Sequence, residues 1–282
     1  MRSLPEPERV LSLTIVATPI GNLKDISIRA LEVLKTVHYI LCEDTRRAQK
    51  LKTHFSLSPR LVSFHEHNER SRIPGVLSRM KEGKTFALIS DAGSPLISDP
   101  GLQLIQEMIR HDLRFSFVPG PSAVQSALIM SGFRTCPYYF CGFLPVKAGQ
   151  RTAALARISR LEDCTLVLFE SPRRILGLVR EIGEALGNRQ IAVCRELTKL
   201  HEEVIRGAVS DILNSLASRT LLGEFTVVIS PGEAVIAVMT DDSIRTRFAQ
   251  LLNEGSNRKD ALKKLSKESG RPRNDLYQLL MK

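Results

Sequence analysis

No stretch of this 282-residue sequence approaches the roughly 18 to 20 consecutive apolar residues that a membrane-crossing helix needs, so no membrane-spanning helix is expected. Pro5, Glu6, Pro7 and Glu8 precede the first apolar stretch and fit a secretory signal poorly. Cysteine is scarce. The five residues Cys42, Cys136, Cys141, Cys164 and Cys194 form no C-x-x-C pair, and at least four read as small apolar residues inside strands. That usage fits free thiols in a reducing cytoplasm. His65 and His67 share one face of an extended segment, but no Cys or second His cluster completes a ligand set, so no metal is expected. A G-x-G-x-x-G after a strand is missing, and Ser78 stands where the phosphate-loop spacing before Gly83-Lys84 needs glycine. Acidic residues are also short, 30 against 40 Lys and Arg, and the net charge of +10 favours an anionic partner such as a nucleic acid or a membrane surface.

What is present is a globular composition, 43% hydrophobic and 25% charged, on a length that suits two compact domains. Strand-like runs at Leu13–Thr18, Val37–Cys42, Leu61–Phe64, Thr85–Ser90 and Arg114–Val118 alternate with helical patterns, which predicts βαβ units and a mostly parallel sheet. A second series has a helix over Pro121–Ser131, strands near Tyr138–Phe143, Thr165–Phe169, Ile191–Cys194, Glu203–Ile205 and Phe225–Ile229, and helices over Gln150–Ser159 and Arg173–Leu186. The closer spacing of its last strands predicts a mixed sheet. The reading is therefore an α/β fold with units at 1–120 and 121–232 and a helical module at 233–282, where Ala234–Thr240 reads as a tether. In that module Ile244, Phe248, Leu251 and Leu252 share a helical face, Asn257 with Asp260 marks a helix start, and Leu276, Leu279 and Leu280 belong to a last short helix. The three helices fit a helix-turn-helix-like module or a cap on the body.

Small rigid turns follow several strands: Thr18-Pro19-Ile20-Gly21-Asn22, Asp91-Ala92-Gly93-Ser94-Pro95, Pro119-Gly120-Pro121-Ser122-Ala123 and Glu170-Ser171-Pro172. After the second of these, Asp99 and Pro100 read as the N-cap and first residue of a helix. The carboxyl edge of an open α/β sheet is where ligands bind, and glycines there let backbone approach a flat molecule. Basic residues are missing from Asp91–Gly101 and Pro119–Ala123, while Asp91 and Asp99 are acidic. Such a pocket suits a cationic or neutral adenosine-like ligand better than a polyphosphate, and the sulfonium of S-adenosylmethionine meets that requirement.

The run Ile15-Val16-Ala17-Thr18-Pro19-Ile20-Gly21-Asn22-Leu23 resembles the opening motif of one branch of the tetrapyrrole methylase superfamily, the ribosomal RNA small subunit methyltransferases. The likeness continues through Glu43-Asp44-Thr45-Arg46, Ile89–Gly101, Val118–Ala123, Gly142-Phe143-Leu144-Pro145, Phe169–Arg173 and Gly223-Glu224-Phe225-Thr226. It implies a kidney-shaped homodimer of two-domain α/β subunits with S-adenosylmethionine in the cleft between the domains. It further implies 2′-O-methylation of a decoding-centre cytidine in 16S rRNA, on the small ribosomal subunit. Relatives on this fold methylate porphyrin precursors or a histidine-derived residue on a protein, so a tetrapyrrole or protein substrate is the alternative. A non-catalytic nucleic-acid-binding protein is a third reading.

Carried onto this chain, the resemblance places the methyl donor against Pro19 and Gly21 and against the Ser90-Asp91-Ala92 turn. It adds Leu96, Ile97 and Ser98, then Ser122, Ala123 and Phe143, and finally Leu197 with Gly223, Glu224 and Phe225. The acceptor hydroxyl has to lose a proton, and Asp44, Asp91, Glu170, Glu196 and Lys199 are the candidates to take it. Each also has a structural reading, as a helix cap or an ion pair, and the sequence does not choose between them.

Asn257–Lys282 holds eight Lys and Arg against three acids, half of the net +10 in under a tenth of the chain. Lys259, Lys263 and Lys267 recur at a spacing that puts them on one helical face, with Arg258, Arg271 and Arg273 beside them. This fits phosphate contacts that position RNA without reading its sequence. Arg46 and Arg47 form a second basic group that could face the cleft.

Overall fold

The computed structural model describes residues 11–232, 240–269 and 271–280. Pro5–Glu8, most of the tether read over Ala234–Thr240, Gly270 and Lys282 lie outside the described residues.

The strands β1 (Leu11–Val16), β2 (Tyr39–Cys42), β3 (Arg60–Ser63), β4 (Phe86–Ile89) and β5 (Arg114–Val118) form a parallel sheet in the order β3-β2-β4-β1-β5. Both faces of this sheet are covered, which is why β4 reads Phe-Ala-Leu-Ile without a polar break. Helices α1 (Ile28–Thr36) and α2 (Thr45–His54) pack Ala30, Leu34, Ala48 and Leu51 onto one face. On the other face α3 (Glu69–Lys81) and α4 (Leu102–Arg110) bury Ile73, Val76, Leu104 and Met108. The neighbouring strands β1 and β4 thus send their chains to opposite faces, and a crevice opens between their carboxyl ends. Two backbone bonds, Thr18 N–H to Gly93 O (2.8 Å) and Gly93 N–H to Thr18 O (3.0 Å), fix the two turns that flank it.

The second half begins with α5 (Ala123–Ser131) and continues through β6 (Tyr138–Phe143), α6 (Ala148–Ile158), β7 (Thr165–Glu170), α7 (Ile175–Leu186), β8 (Gln190–Arg195), β9 (Glu203–Ala208), α8 (Val209–Ala217) and β10 (Phe225–Ile229). Its sheet is mixed, in the order β6-β7-β10-β8-β9; β6 and β7 are parallel and the other pairs antiparallel. Helices α6, α7 and α8 cover one face, and α5 covers the other with Val124, Ala127 and Leu128. Ile20, from the turn after β1, is buried in that α5-side core beside Leu197. The two sheets are thereby locked across the crevice.

Helices α9 (Asp241–Asn253), α10 (Arg258–Ser269) and α11 (Arg273–Leu280) have a core of their own, with Ile244, Phe248, Leu251, Ala261, Leu265 and Leu276 buried together. Asn257 Oδ1 accepts from Asp260 N–H (2.9 Å) and Asn257 Nδ2 donates to Asp260 Oδ2 (2.8 Å), a reciprocal cap at the start of α10.

Several boundaries differ from the sequence reading. β1 ends at Val16, because Ala17 and Thr18 turn to bond Val118 and Gly93. β9 runs on to Ala208, as pairing with β8 carries it through Arg206 and Gly207 where apolar side chains stop. Three cysteines, not four, lie in strands (Cys42, Cys141 and Cys194); Cys164 stands just before β7, and Cys136 is exposed. The largest difference is at α4. Asp99 and Pro100 do not start this helix; Gly101 is its N-cap at φ +125°, a conformation that favours glycine. The first N–H groups are satisfied from α3 instead, where buried Glu69 Oε1 accepts from Gln103 N–H (3.2 Å) and Leu104 N–H (3.4 Å).

Candidate active site

Between the two sheets lies a cavity of about 430 Å³. The first half lines it with Ile20, Arg47, Asp91–Ser94 and Ile97–Asp99. Ser122–Val124 enter from the start of α5, and Phe143, Phe169–Pro172, Leu197 and Gly223–Thr226 close the other side. Half-exposed Ile97 and exposed Phe143 offer flat apolar surface at its mouth, with the Phe143 ring 5.5 Å from that of Phe169. Size and lining suit one organic molecule of nucleoside dimensions.

Strained backbone concentrates in the two turns that face each other here. Leu96 and Ser98 have φ +69° in the turn after β4, and Glu196 and Thr198 have φ +51° and +65° in the turn after β8. Non-glycine residues hold such angles only where the surroundings over-determine them. The turn after β1 is wedged against the second of these. Asn22 N–H donates to Thr198 Oγ1 (3.1 Å), and a Cβ on Gly21 would stand 2.4 Å from Lys199 Cγ and 2.8 Å from Leu197 O.

The acidic groups fall into distinct environments. Asp91 accepts from Asp44 N–H through Oδ1 (3.1 Å) and faces Arg47 Nε through Oδ2 (3.4 Å). Asp44 caps α2 and is gripped by Arg46, whose Nη2 is 2.8 Å from Oδ2; the Arg46 side chain, with its backbone N–H, holds that carboxyl down at about 2. Glu170 is buried, with Oε2 3.2 Å from Arg151 Nη1 and Oε1 2.7 Å from Arg174 Nε; Arg151 also pairs with Glu181. Lys199 Nζ bridges Glu196 (2.8 Å) and Glu224 (3.0 Å). Burial works against both ionised partners of that first pair, but the bonds outweigh it: Glu196 is held below the usual carboxylate range and Lys199 above the usual amine value.

Asp99 differs from all of these. Burial, then the charges of Glu43 and Asp91, push its carboxyl up to about 7 against the opposing bond from the Ser90 hydroxyl. Glu43 is raised as well, by burial first and Asp91 second, with Arg47 and His65 offsetting part of the shift. Burial pushes the Cys42, Cys141 and Cys194 thiols up to about 12, so they stay protonated and inert.

Of the expected donor-contact residues, Asp91, Ala92, Ile97, Ser98, Ser122, Ala123, Phe143, Leu197, Gly223, Glu224 and Phe225 line the cavity. Pro19, Gly21, Ser90 and Leu96 are not among the lining residues; they shape the turns behind it, and Ile20 is the lining member of the first turn. Of the proton-acceptor candidates, Asp91 and Glu170 line it, whereas Asp44, Glu196 and Lys199 do not. Asp99, which the sequence reads as an acid of the pocket and as a helix cap, is not among the expected contact residues but lines the cavity, as do Phe169 and Thr226 from the quoted motifs. Val124, next to Ala123, has no signal of its own in the sequence. Arg47 lines the cavity, and Arg46 is exposed beside it in sequence. In the helical tail Arg258, Lys259, Lys263 and Arg273 are exposed, Arg271 pairs with Asp241 (2.7 Å), and Lys267 lies in α10. His65 and His67 have ring centroids 6.0 Å apart, and among the described residues no group of three or more His, Cys, Asp or Glu is placed to hold a metal. Among those residues no helix is long and apolar enough to cross a membrane.

Residues 12–213 match the family model described as tetrapyrrole (corrin/porphyrin) methylases. A protein of Thermotoga maritima named ribosomal RNA small subunit methyltransferase I is 46% identical over 78% of this chain and 99% of its own length. One of the same name from Halalkalibacterium halodurans is 36% identical over 95% of this chain and 94% of its own. Among solved structures, the cobalt precorrin-4 methyltransferase of cobalamin biosynthesis superposes with TM-score 0.58 at 17% identity, covering 78% of this chain and 94% of the other. The uroporphyrin-III C-methyltransferase of Thermus thermophilus gives 0.56 at 18% identity, covering 80% and 97%. At these identities the structures show a shared fold.

Proposed function

The chain belongs to the tetrapyrrole methylase family, in the group of ribosomal RNA small subunit methyltransferase I, and from that premise we propose that it methylates the 2′-hydroxyl of a decoding-centre cytidine in 16S rRNA. S-adenosylmethionine is the methyl donor, and the substrate is the small ribosomal subunit in the cytoplasm. The observation that carries the reading is the cavity itself. It is lined by the family's motif turns, has acidic groups on its first-half wall, and Arg47 is the one cation among its described lining residues. A polyphosphate would meet repulsion there; a sulfonium is attracted.

Bound in the cavity, the donor supplies an electrophilic methyl group. The chain's residues supply position: strained turns on both sides hold the apolar walls at a fixed separation, and reactants held in near-attack geometry gain most of their rate from that. The exposed cations of α10 and Arg273, with Arg46 and Arg47 near the cavity, fit RNA backbone contacts. Exposed Phe115 and Phe117 on the edge strand β5, with Tyr138 and Tyr139 on the edge strand β6, favour a homodimer that covers these edges. We take 1–120, 121–232 and 233–282 as the domains of that subunit.

Labelled methyl transfer to unmodified small subunits, naked 16S rRNA and a porphyrinogen, run in parallel, tests the reading. Label is expected on the subunits, and label on the porphyrinogen alone overturns it. A chain ending before Thr240 should keep its affinity for S-adenosylmethionine but methylate subunits at least about tenfold less well at moderate salt, with a shallower salt dependence. Equal modification across a salt series would remove the tail from the RNA interface.

A further inference from the structure

The positive charge of the chain has a second centre besides the tail. From Arg46 to Arg79 the sequence holds eight Lys and Arg against two acids, Glu66 and Glu69. Glu69 is buried and occupied with the N–H groups of α4. Arg46 is tied to Asp44, Arg47 faces Asp91, and Lys52 donates to the carbonyls of Ser58 and Pro59. Three of the others, Arg60 on β3 with Arg72 and Arg79 on α3, line an open pocket of about 220 Å³ at the outer edge of the first sheet. Its remaining walls are Leu61, Val62 and Ser63, and Glu66 does not line it. The three arginines are exposed, and among the described residues none of them has an acid as ion-pair partner.

The local structure holds these cations in place. Arg72 and Arg79 stand two turns apart on α3, so they point the same way at a separation of about 10 Å. The Arg79 guanidinium lies over the Tyr39 ring, 5.3 Å from its centroid, and that ring is stacked on Phe86 at 4.9 Å. Strand β3 is the last of its sheet, with β2 as its one neighbour. Arg60 N–H donates to His38 O (3.3 Å) and Phe64 N–H to Cys42 O (2.8 Å). By the alternation of a parallel ladder, Leu61 and Ser63 then turn their N–H groups to the open side, where Ser63 O accepts from Asn68 Nδ2 (3.4 Å). The pocket thus joins three guanidinium groups to outward backbone donors. Like charges gathered without a counter-charge repel one another, and an anion from outside relieves that repulsion. The planar fork of arginine matches the oxygens of a phosphate.

We propose that the Arg60, Arg72 and Arg79 pocket binds a backbone phosphate of rRNA and is an anchor for the substrate separate from the helical tail. The inference rests on the rRNA reading above and adds a site to it. Its place in the fold suits that task. Helix α2 packs against β3, and Ser63 stands in register with Cys42, just beyond which Arg46 and Arg47 open α2. Arg46 is exposed and Arg47 lines the cavity, so positive charge runs from the pocket to the cavity wall. A strand seated in the pocket is led along that path. Such contacts set the position and orientation of the RNA without reading its sequence.

The test is equilibrium binding of the full-length protein to unmodified small subunits and to naked 16S rRNA from about 50 to about 300 mM salt. The wild type is compared with two double variants, Arg72→Ala with Arg79→Ala and Arg72→Lys with Arg79→Lys. The alanine pair is expected to bind both RNAs about tenfold more weakly at moderate salt and to lower the slope of log affinity against log salt by about 1 to 2. Its calorimetric affinity for S-adenosylmethionine should stay within about twofold of wild type, because neither residue lines the cavity. The lysine pair keeps the charge and should keep the wild-type slope. An alanine pair that matches wild type in affinity and slope overturns the proposal. A lysine pair whose slope falls as far as that of the alanine pair does so too, because the loss is then one of packing. A loss on subunits with none on naked rRNA assigns the pocket to an acidic ribosomal protein and overturns it as well. Binding is read without methyl transfer, so wild-type protein that binds subunits but labels none overturns the functional reading alone, and wild-type protein that binds neither RNA overturns both.

Discussion

The two halves of the molecule treat their carboxylates in opposite ways. In the second half, Glu170, Glu196 and Glu224 are each matched to Arg151, Arg174 or Lys199 at hydrogen-bond distance. In the first half, Glu43, Asp91 and Asp99 crowd one strand edge, and Arg47 is the cation among them. Matched pairs fix geometry. A buried carboxyl crowded by like charge, as Asp99 is, has its value pushed up to about 7, and the set repels further anions. The second half thus presents a wall of paired charges, and the first a wall with an excess of negative charge.

Removing charge from the two sets should therefore have opposite effects on stability. The largest effect is expected from Glu170→Gln, which takes the anion from partly buried Arg174 and leaves buried Arg151 with Glu181 alone; a loss of about 3 kcal/mol in chemical denaturation is expected. Lys199→Ala sets Glu196 against Glu224 in a half-exposed site and should cost about 1 kcal/mol or less at neutral pH. Glu196 has its folded-state value below its unfolded one, so it stabilises the fold above the unfolded value and that contribution disappears as pH falls. Stability measured at pH 7 and pH 4 should thus differ less in K199A than in wild type. An effect of reversed sign is expected from Asp99→Asn. A carboxyl raised to about 7 when folded destabilises the fold progressively from roughly pH 4 up to 7 and by a constant amount above. D99N should be more stable than wild type at pH 8 and equally stable at pH 4, read by thermal melting. A clear loss of stability in D99N at pH 8 would erase the contrast between the halves.

Much of this arrangement was legible in the sequence. The central strands β2 and β4 announce themselves because burial on both faces makes each one continuously apolar between polar turns. The turns at Thr18–Asn22, Asp91–Pro95 and Glu170–Pro172 declare themselves through proline and glycine. The rest depends on contacts between distant segments. That Leu96, Ser98, Glu196 and Thr198 take left-handed angles follows from how two turns meet across the cavity, and their residue types carry no sign of it. Ion pairs such as Arg151 with Glu170 join elements whose spacing follows no local period. β9 was read short because ladder pairing with β8, unlike side-chain pattern, continues through Arg206 and Gly207. The tail helices were visible from their apolar stripes, and their shared core followed from them.

Glu69 carries the longest consequence. An Asp-Pro sequence ahead of a helix ordinarily spends its carboxylate on the first turn's N–H groups, which fix its orientation and keep it ionised. Here the end of α4 is secured by an acid from α3, more than thirty residues earlier in the chain. The duty of holding the helix and a place on the cavity wall are thus vested in different side chains, so either can be altered without forfeiting the other. Natural variation or engineering can retune the cavity wall at residue 99 while the scaffold stays put, and a change at residue 69 can shift the whole turn without touching a single group that lines the cavity.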